Sequence, residues 1–296
     1  MTRVLGIDVG GTKVAIGVST ADGPALSAHV RLDTGPDTLA RALAAARSLD
    51  GAPAAVGFST CGVIRDGVVR LAPNVPGWEG LELPRLLQEA YGATPVAIDN
   101  DVNAAAAAEL RWGALRGVST GVYLNLGTGL AAALVVDGRV VPGAHGAAGE
   151  IGYLQVTPGE PAFADGRVPL EERVSGGALA ARGAALLGRP VTAAELLGGG
   201  RAREPVDETP GGDPAQELVD ETLRTLAMSV ANLCVVLDPE RLVVGGGMMG
   251  AAELILPRLA AEVGRAVPFP PQIRPARFAD DAPLLGALAL ARAAVA

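Results

Sequence analysis

Asp99, Asn100 and Asp101 stand side by side in "PVAIDNDVNAAAAAEL", where an apolar run gives way to an alanine-rich stretch. Asn and Asp are favoured helix N-caps, so one of the three is expected to cap the helix that follows. Capping accounts for one polar residue and leaves the others for chemistry. A carboxylate at the C-terminal end of a strand is placed to take a proton from an alcohol. Two further clusters could accept hydrogen bonds from ligand hydroxyls: "HGAAGEIGY", with His145, Glu150 and Tyr153, and "LEERVSGGAL", with Glu171 and Glu172. Exposure on a helix is the simpler account of Glu172.

Glycine loops form the second group. "GIDVGGTKVAIGV", residues 6 to 18, is not a Walker loop, because G-x-x-x-x-G-K-[ST] is absent. Gly10-Gly11 instead reads as a hairpin, followed by Thr12 and Lys13. Gly127-Thr128-Gly129 lies in a similar setting. Either loop alone is what a tight turn needs. Equivalent placement in two facing lobes would let backbone N–H groups and threonine hydroxyls cradle one polyphosphate. Asp8, on the strand before the first loop, is suited to orienting a hydrated Mg²⁺, or to capping its own turn.

A third cluster, Gly245-Gly246-Gly247-Met248-Met249-Gly250, fits G-x-G-x-x-G between a strand and a helix. The dinucleotide reading needs an acidic residue roughly 20 positions on to hold the ribose. "RAVPFPP" stands there instead, and little chain remains to complete a dinucleotide fold. A strand-to-helix turn of this composition can cradle an adenosine.

The elements that must position these residues repeat. Strands at Val4 to Asp8 and Lys13 to Ser19, then a third near Ala25 to Leu32 after Asp22-Gly23, form one meander. A second runs through "GVYLNLGTGLAAALVVDGRVV", turning at Asp137-Gly138. After the first come a helix (Asp37 to Leu49), a strand (Pro53 to Thr60), a helix (Leu83 to Tyr91), a strand (Thr94 to Asp99) and the helix "NAAAAAEL". After the second come a helix near Ala215 to Leu237, the strand "RLVVGG", a helix from Ala251 to Val263, the strand "QIRPARF" and the helix "PLLGALALARAAV". Each half reads βββαβαβα, an α/β architecture of two similar lobes with a crevice between them, where such folds bind ligands. Lobe boundaries are expected at 1–116, completed by the C-terminal helix 282–296, and 117–281. The second lobe carries a Pro-, Gly- and acid-rich insertion around 157–214, read as loops or a lid.

Composition narrows the function classes. The 296 residues can bury a large core, and 49% are apolar while only 3% are aromatic, so the core is built from Val, Leu, Ala and Ile. A net charge of −8 argues for solubility and against a non-specific grip on nucleic acid or anionic membrane. Cys61 and Cys234 are the only cysteines, far apart, with no disulfide framework or C-x-x-C pair. No signal-peptide layout and no membrane span is read, so a cytoplasmic protein is expected.

The motifs in order, "GIDVGGTK", "PNVPGW", "IDNDVNAAAAAE", "LGTGLAAALVVDG", "GAAGEIG", "LEERVSG", "DPERLVVGGGM" and "APLLGA", resemble those of the ROK sugar kinases and repressors over nearly the whole chain. The resemblance implies the actin-like ATPase (ribonuclease H-like) fold and an ATP- and Mg²⁺-dependent kinase acting on a hydroxyl of a hexose or hexose-like substrate. It implies that Asp101 is the general base and that Asn100, Glu150 and Glu171 hold the sugar. Gly10, Gly11, Thr12 and Lys13, with Gly127, Thr128 and Gly129, look like the two phosphate loops, and Gly245, Gly246 and Gly247 like the adenosine loop. A homodimer is also implied.

Departures from the family pattern fall near the substrate. Where members carry a zinc-binding histidine and three cysteines, this chain has Tyr153, Ala162, Ala164 and Pro169. A tetrahedral site needs thiolate and imidazole ligands, so no zinc is expected. Tyr153 also replaces a histidine that touches the sugar, and Cys61-Gly62 replaces a Pro-Gly beside it, which places Gly62 and Tyr153 among the substrate-side residues. An amino sugar or a cyclitol is the alternative acceptor. The family's repressors carry a helix-turn-helix ahead of the first strand, whereas only Met1 to Arg3 precede it here, so DNA binding is not expected. A non-catalytic sugar sensor is the remaining rival, disfavoured by the intact Asp101 and phosphate loops.

Overall fold

The computed structural model describes residues 2–20, 22–72, 75–198 and 213–295. Pro73 and Asn74 of the "PNVPGW" motif and residues 199–212 of the expected insertion lie outside them. Among the described residues no helix is long and apolar enough to cross a membrane. Contacts divide the chain into two compact units. One comprises Met1–Gly117, Gly138–Ala148 and Asp281–Ala296, the other Val118–Asp137 and Gly149–Asp280.

In the first unit the order is β1 (Val4–Val9), β2 (Lys13–Ser19), β3 (Ala28–Asp33), α1 (Thr38–Leu49), β4 (Ala55–Thr60), β5 (Val63–Arg65), β6 (Val68–Arg70), α2 (Leu83–Tyr91), β7 (Val96–Asn100) and α3 (Asp101–Trp112). Its main sheet runs β3-β2-β1-β4-β7. β1 is antiparallel to β2 and parallel to β4, and β4 is parallel to β7. β1 and β4 are buried along their whole length, as expected of apolar strands covered on both faces. β3 at the edge alternates with exposed positions.

The chain then forms β8 (Gly121–Leu126), β9 (Leu130–Val136), β10 (Arg139–Val140), α4 (Glu171–Val174), α5 (Gly176–Leu187), α6 (Ala193–Leu196), α7 (Pro214–Leu237), β11 (Arg241–Gly245), α8 (Ala252–Ala266), β12 (Gln272–Pro275) and α9 (Ala282–Ala293). The second sheet runs β10-β9-β8-β11-β12, again with one antiparallel and two parallel pairings among its four longer strands. The two sheets thus repeat one topology, and the βββαβαβα reading holds in each half.

Three local expectations need correction. The third strand begins at Ala28 rather than near Ala25. The last strand ends at Pro275, whose missing N–H suits only an edge. The helix after the third glycine cluster opens with a 3₁₀ turn, Gly247–Ala251, before α8 begins. The β5–β6 hairpin was not expected; Asp66 and Gly67 turn it with φ of 52° and 78°.

Two apolar cores form separately. Leu5, Ile7, Ile16, Val56 and Phe58 centre the first, and Val122, Leu124, Leu223, Leu226, Leu242 and Val244 the second. What seats α9 on the first sheet is backbone proximity. A Cβ on Gly57 of β4 would lie 1.7 Å from the Ala287 carbonyl oxygen, and one on Gly286 would lie 1.9 Å from that of Ala104 in α3. Both contacts are backbone and cannot step aside. Gly286→Ala is therefore expected to lower stability by about 2 kcal/mol or more. Gly264→Ala in α8, where a Cβ meets nothing, should instead be neutral or stabilising by up to about 1 kcal/mol. Urea midpoints of the two variants check the contrast.

Candidate functional site: two buried carboxylates and a glycine-walled cavity

The expected cap is Asn100. Its Oδ1 accepts from Asn103 N at 2.7 Å, while its backbone is still extended at the end of β7. Asp99 Oδ1 accepts from Asn100 N at 2.9 Å and from Asn103 Nδ2 at 2.8 Å, so it braces the turn. Burial lifts the Asp99 carboxyl above its ordinary range. Asp101 accepts local backbone bonds, from Val102 N at 3.0 Å and from its own N–H. Burial pushes the Asp101 carboxyl up to about 6, against the lowering effect of those backbone bonds. Asn103, 1% exposed, is the supporting residue that sequence reading passed over. Its place in the first turn of an alanine-rich helix was the available signal.

Asp8 pairs with Ser59 across the β1–β4 register, and Ser59 Oγ donates to Asp8 Oδ1 at 2.7 Å. Burial first, and then the Asp101 and Asp281 charges, push the Asp8 carboxyl up to about 7, while Ser59 and Lys13 oppose the rise. Asp8 and Asp101 are thus electrostatic neighbours in a desolvated setting. A divalent cation reached through water would relieve both, so the donor set fits Mg²⁺. The loop beyond Asp8 closes with Gly10 N donating to Lys13 O at 3.0 Å. Thr34, just past the end of β3, holds it, its Oγ1 donating to Gly10 O at 2.7 Å and its N to Thr12 O at 3.1 Å. Gly11, Thr12 and Lys13 are exposed.

At the end of β4, Trp78 Nε1 donates to Thr60 Oγ1 at 2.7 Å, fixing the approach to Cys61-Gly62. Gly62 has φ of 75°, and a Cβ there would meet the Arg70 carbonyl oxygen at 2.4 Å, so this position requires glycine. Burial, then the Asp101 charge, pushes the Cys61 thiol up to about 12, which keeps it a neutral thiol.

In the second unit, two of the expected loops border one cavity of about 550 Å³. Gly127 and Thr128 form one wall, Gly247 and Met248 another, and Gly176 and Gly177 at the head of α5 complete it. Gly246 has φ of 95° and would strike the Leu126 carbonyl oxygen if it carried a Cβ. Gly245 is buried against the Tyr123 ring. Gly129 closes the 127–129 turn by accepting from Gly127 N at 3.1 Å. Gly176 and Gly177 were missed as site residues; "SGG" ahead of a helical run was the signal.

Glu150, Tyr153 and Glu171 lie in the second unit too. Glu150 precedes a 3₁₀ turn at Ile151–Tyr153. The Tyr153 ring stands edge-on to Phe163, with centroids 5.5 Å apart. Glu171 Oε2 accepts from Leu130 N at 2.8 Å. Between them, Glu160 accepts from Thr157 N at 2.9 Å and from Arg173 Nη2 at 2.6 Å, which holds its carboxyl down to about 2. Arg167 forks onto Glu172. Among the described residues no three His, Cys, Asp or Glu side chains are grouped to hold a metal ion. Water-mediated Mg²⁺ at Asp8 requires no such group.

Two sheets of one topology, each followed by helices and each carrying a glycine loop between its first two strands, define the actin-like ATPase fold. The chain belongs to the ROK family, whose profile matches residues 4–294. It is 33% identical over 302 residues to the N-acetylmannosamine kinase of Shigella flexneri, covering 98% of each chain. It is similar to the solved ROK hexokinase from Thermus thermophilus, with 34% identity, a TM-score of 0.80 and 99% of each chain covered. It is also similar to a ROK family glucokinase from Streptomyces griseus solved with glucose and AMPPNP, at 28% identity and a TM-score of 0.77, covering 98% of this chain and 99% of that one.

The raised Asp8 carboxyl gives a stability prediction. A carboxyl whose folded pKa is raised loses stability as pH climbs from its unfolded value, 3.8, through about 7. In magnesium-free buffer, Asp8→Asn removes that loss. Its Tm relative to wild type is expected to rise between pH 5 and pH 8, as thermal melts at the two pH values would show.

Proposed function

We propose that this protein is an ATP-dependent sugar kinase, transferring the γ-phosphoryl group to a hydroxyl of a hexose or hexose-like acceptor with Asp101 as general base. The observation that carries the reading is Asp101 itself. It is a carboxylate at the head of α3, with burial raising it to about 6, close to where a base works at neutral pH. Family membership supports the reaction class.

The residues divide the work as follows. Asp101 accepts the proton of the reacting hydroxyl, and Asn100, fixed by its capping bond, offers its side-chain amide to neighbouring hydroxyls. Glu150 and Glu171 supply further acceptors. In the Gly10–Lys13 and Gly127–Gly129 loops, amides other than the turn-closing Gly10 N and Gly127 N bind phosphate oxygens, and the cavity beside Gly247 takes the adenosine. Mg²⁺, held through water by Asp8, would carry part of the phosphate charge. Phosphoryl transfer through a loose transition state asks mainly for positioning and electrostatics. Tyr153 and Cys61 favour a second reading of the acceptor as an amino sugar or cyclitol, because both stand at substrate-side positions and differ from the family pattern.

ADP release with Mg-ATP across hexoses, amino sugars and cyclitols tests the proposal. One acceptor should turn over, and Asp101→Asn should lose about 10²- to 10⁴-fold in kcat. Turnover that survives the substitution would remove Asp101 from its role. With the wild-type enzyme, kcat/KM should fall as pH drops through about 6, because the base must be ionised to act.

The cavity makes a separate prediction about the nucleotide. Among the described residues on its wall, Thr128 and Thr192 are the polar side chains, and Thr192 Oγ1 is engaged with Glu195. A pocket that does not hydrogen-bond a base edge through side chains discriminates weakly. GTP and ITP should therefore support turnover within about 10²-fold of ATP in kcat/KM.

A further inference from the structure

In the second unit, residues 127–130, 150–153 and 170–177 are bonded into one block. Leu130 N, on a residue 3% exposed, donates to Glu171 Oε2 at 2.8 Å. A Cβ on Gly129 would lie 2.8 Å from the same oxygen, so the carboxylate packs directly against the loop backbone. The main chain of Glu171 accepts from Ser175 N at 3.0 Å. Ser175 Oγ caps α5, accepting from Ala178 N at 3.1 Å. The first two amides of α5, Gly176 N and Gly177 N, then donate to Gly127 O at 2.9 Å and Thr128 O at 3.1 Å. On the other side, Leu170 N donates to Gly152 O at 3.0 Å, next to Tyr153.

The loop expected to meet phosphate is therefore held at its far end by a side chain expected to meet the acceptor. A carboxylate accepting from a buried backbone N–H is a charge-assisted bond, and its removal leaves the N–H unpaired. The carboxylate has a second oxygen, Oε1, to offer an acceptor hydroxyl. A hydroxyl donating there would fix the side chain in the orientation that holds Leu130.

Resting on the kinase reading above, we propose that Glu171 is a positioning residue for the 127–130 loop as well as an acceptor ligand, and that it couples acceptor binding to nucleotide binding. Each ligand then tightens the other by the same factor, as linkage requires.

The test is the affinity of wild type, Glu171→Ala and Glu171→Gln for Mg-AMPPNP, measured by calorimetry without acceptor and again with glucose, N-acetylmannosamine and the acceptor found to turn over. Without acceptor, Glu171→Ala should bind AMPPNP about tenfold more weakly, a loss that a purely acceptor-binding side chain would not produce. Glu171→Gln keeps an oxygen for Leu130 N and should recover most of that affinity. In wild type, acceptor should tighten AMPPNP, and in Glu171→Ala it should not. Equal AMPPNP affinity of Glu171→Ala and wild type without acceptor would overturn the proposal and leave the kinase reading standing. If Glu171→Ala does not fold, Glu171→Asp replaces it. Its carboxylate is one methylene short of Leu130, so weak nucleotide binding beside normal binding by Glu171→Gln supports the proposal, and equal binding by the two overturns it. Wild-type protein that binds no AMPPNP would overturn the kinase reading and this proposal with it.

Discussion

The contact on which the first unit depends is backbone against backbone. α9 lies so close to β4 and α3 that Gly57 and Gly286 have no room for a single methyl group. Interiors pack at the density of organic crystals, and a contact made by main chain leaves nothing to relax. Ala104, the partner of Gly286, is three residues beyond Asp101 on the same helix. The seat of α9 therefore sets the height and rotation of the helix whose first residue is the candidate base. The alanines of α3 serve that approach: Ala104, Ala105, Ala106 and Ala108 are all buried.

Around that helix the electrostatics are deliberate in their consequences. Asp8 and Asp101 are both desolvated; the Asp101 charge opposes ionisation of Asp8, and both charges oppose ionisation of Cys61. Ser59 and the helix-start amides partly offset this by donating to the charged forms. A site with unrelieved negative charge favours cations and proton acceptance from a neutral hydroxyl, and disfavours a second anion without a metal between them. In the second unit the balance is reversed. The cavity is walled mainly by glycine, alanine and apolar side chains, with Thr128 and Thr192 as the polar side chains among the described residues, so a ligand there meets chiefly shape and main chain.

The repeated topology was legible because its punctuation is local. Asn100 caps α3 where the Asp-Asn-Asp run predicted a cap, and Asp137-Gly138 turns with φ of 52° and 68° where the dipeptide predicted a turn. The β5–β6 hairpin escaped notice because three-residue strands carry too few positions to show a period of two. Residues 154–170 have no period at all. Their order comes from the Tyr153–Phe163 contact and from Glu160, which gathers two backbone amides and Arg173. The bond from Leu130 to Glu171 spans 41 positions, and nothing in either local pattern announces it. Residue types could suggest that Glu171 meets a ligand; only the packed chain shows its bond to Leu130 N.

The position of α9 has a consequence for how the chain acquires its structure. Gly57 and Ala287 are in contact yet lie near opposite ends of the sequence, with the entire second unit synthesised between them. Loop closure over such a span is slow, and contacts of high sequence separation form late. During synthesis, β1, β4 and β7 can pair early, but the face that α9 covers stays open until α9 itself has been made. The second unit ends at Asp280, ahead of α9, and can mature first. In the interval between, the nascent chain exposes the apolar face of β1 and β4, and an exposed face of that kind is what chaperones cover.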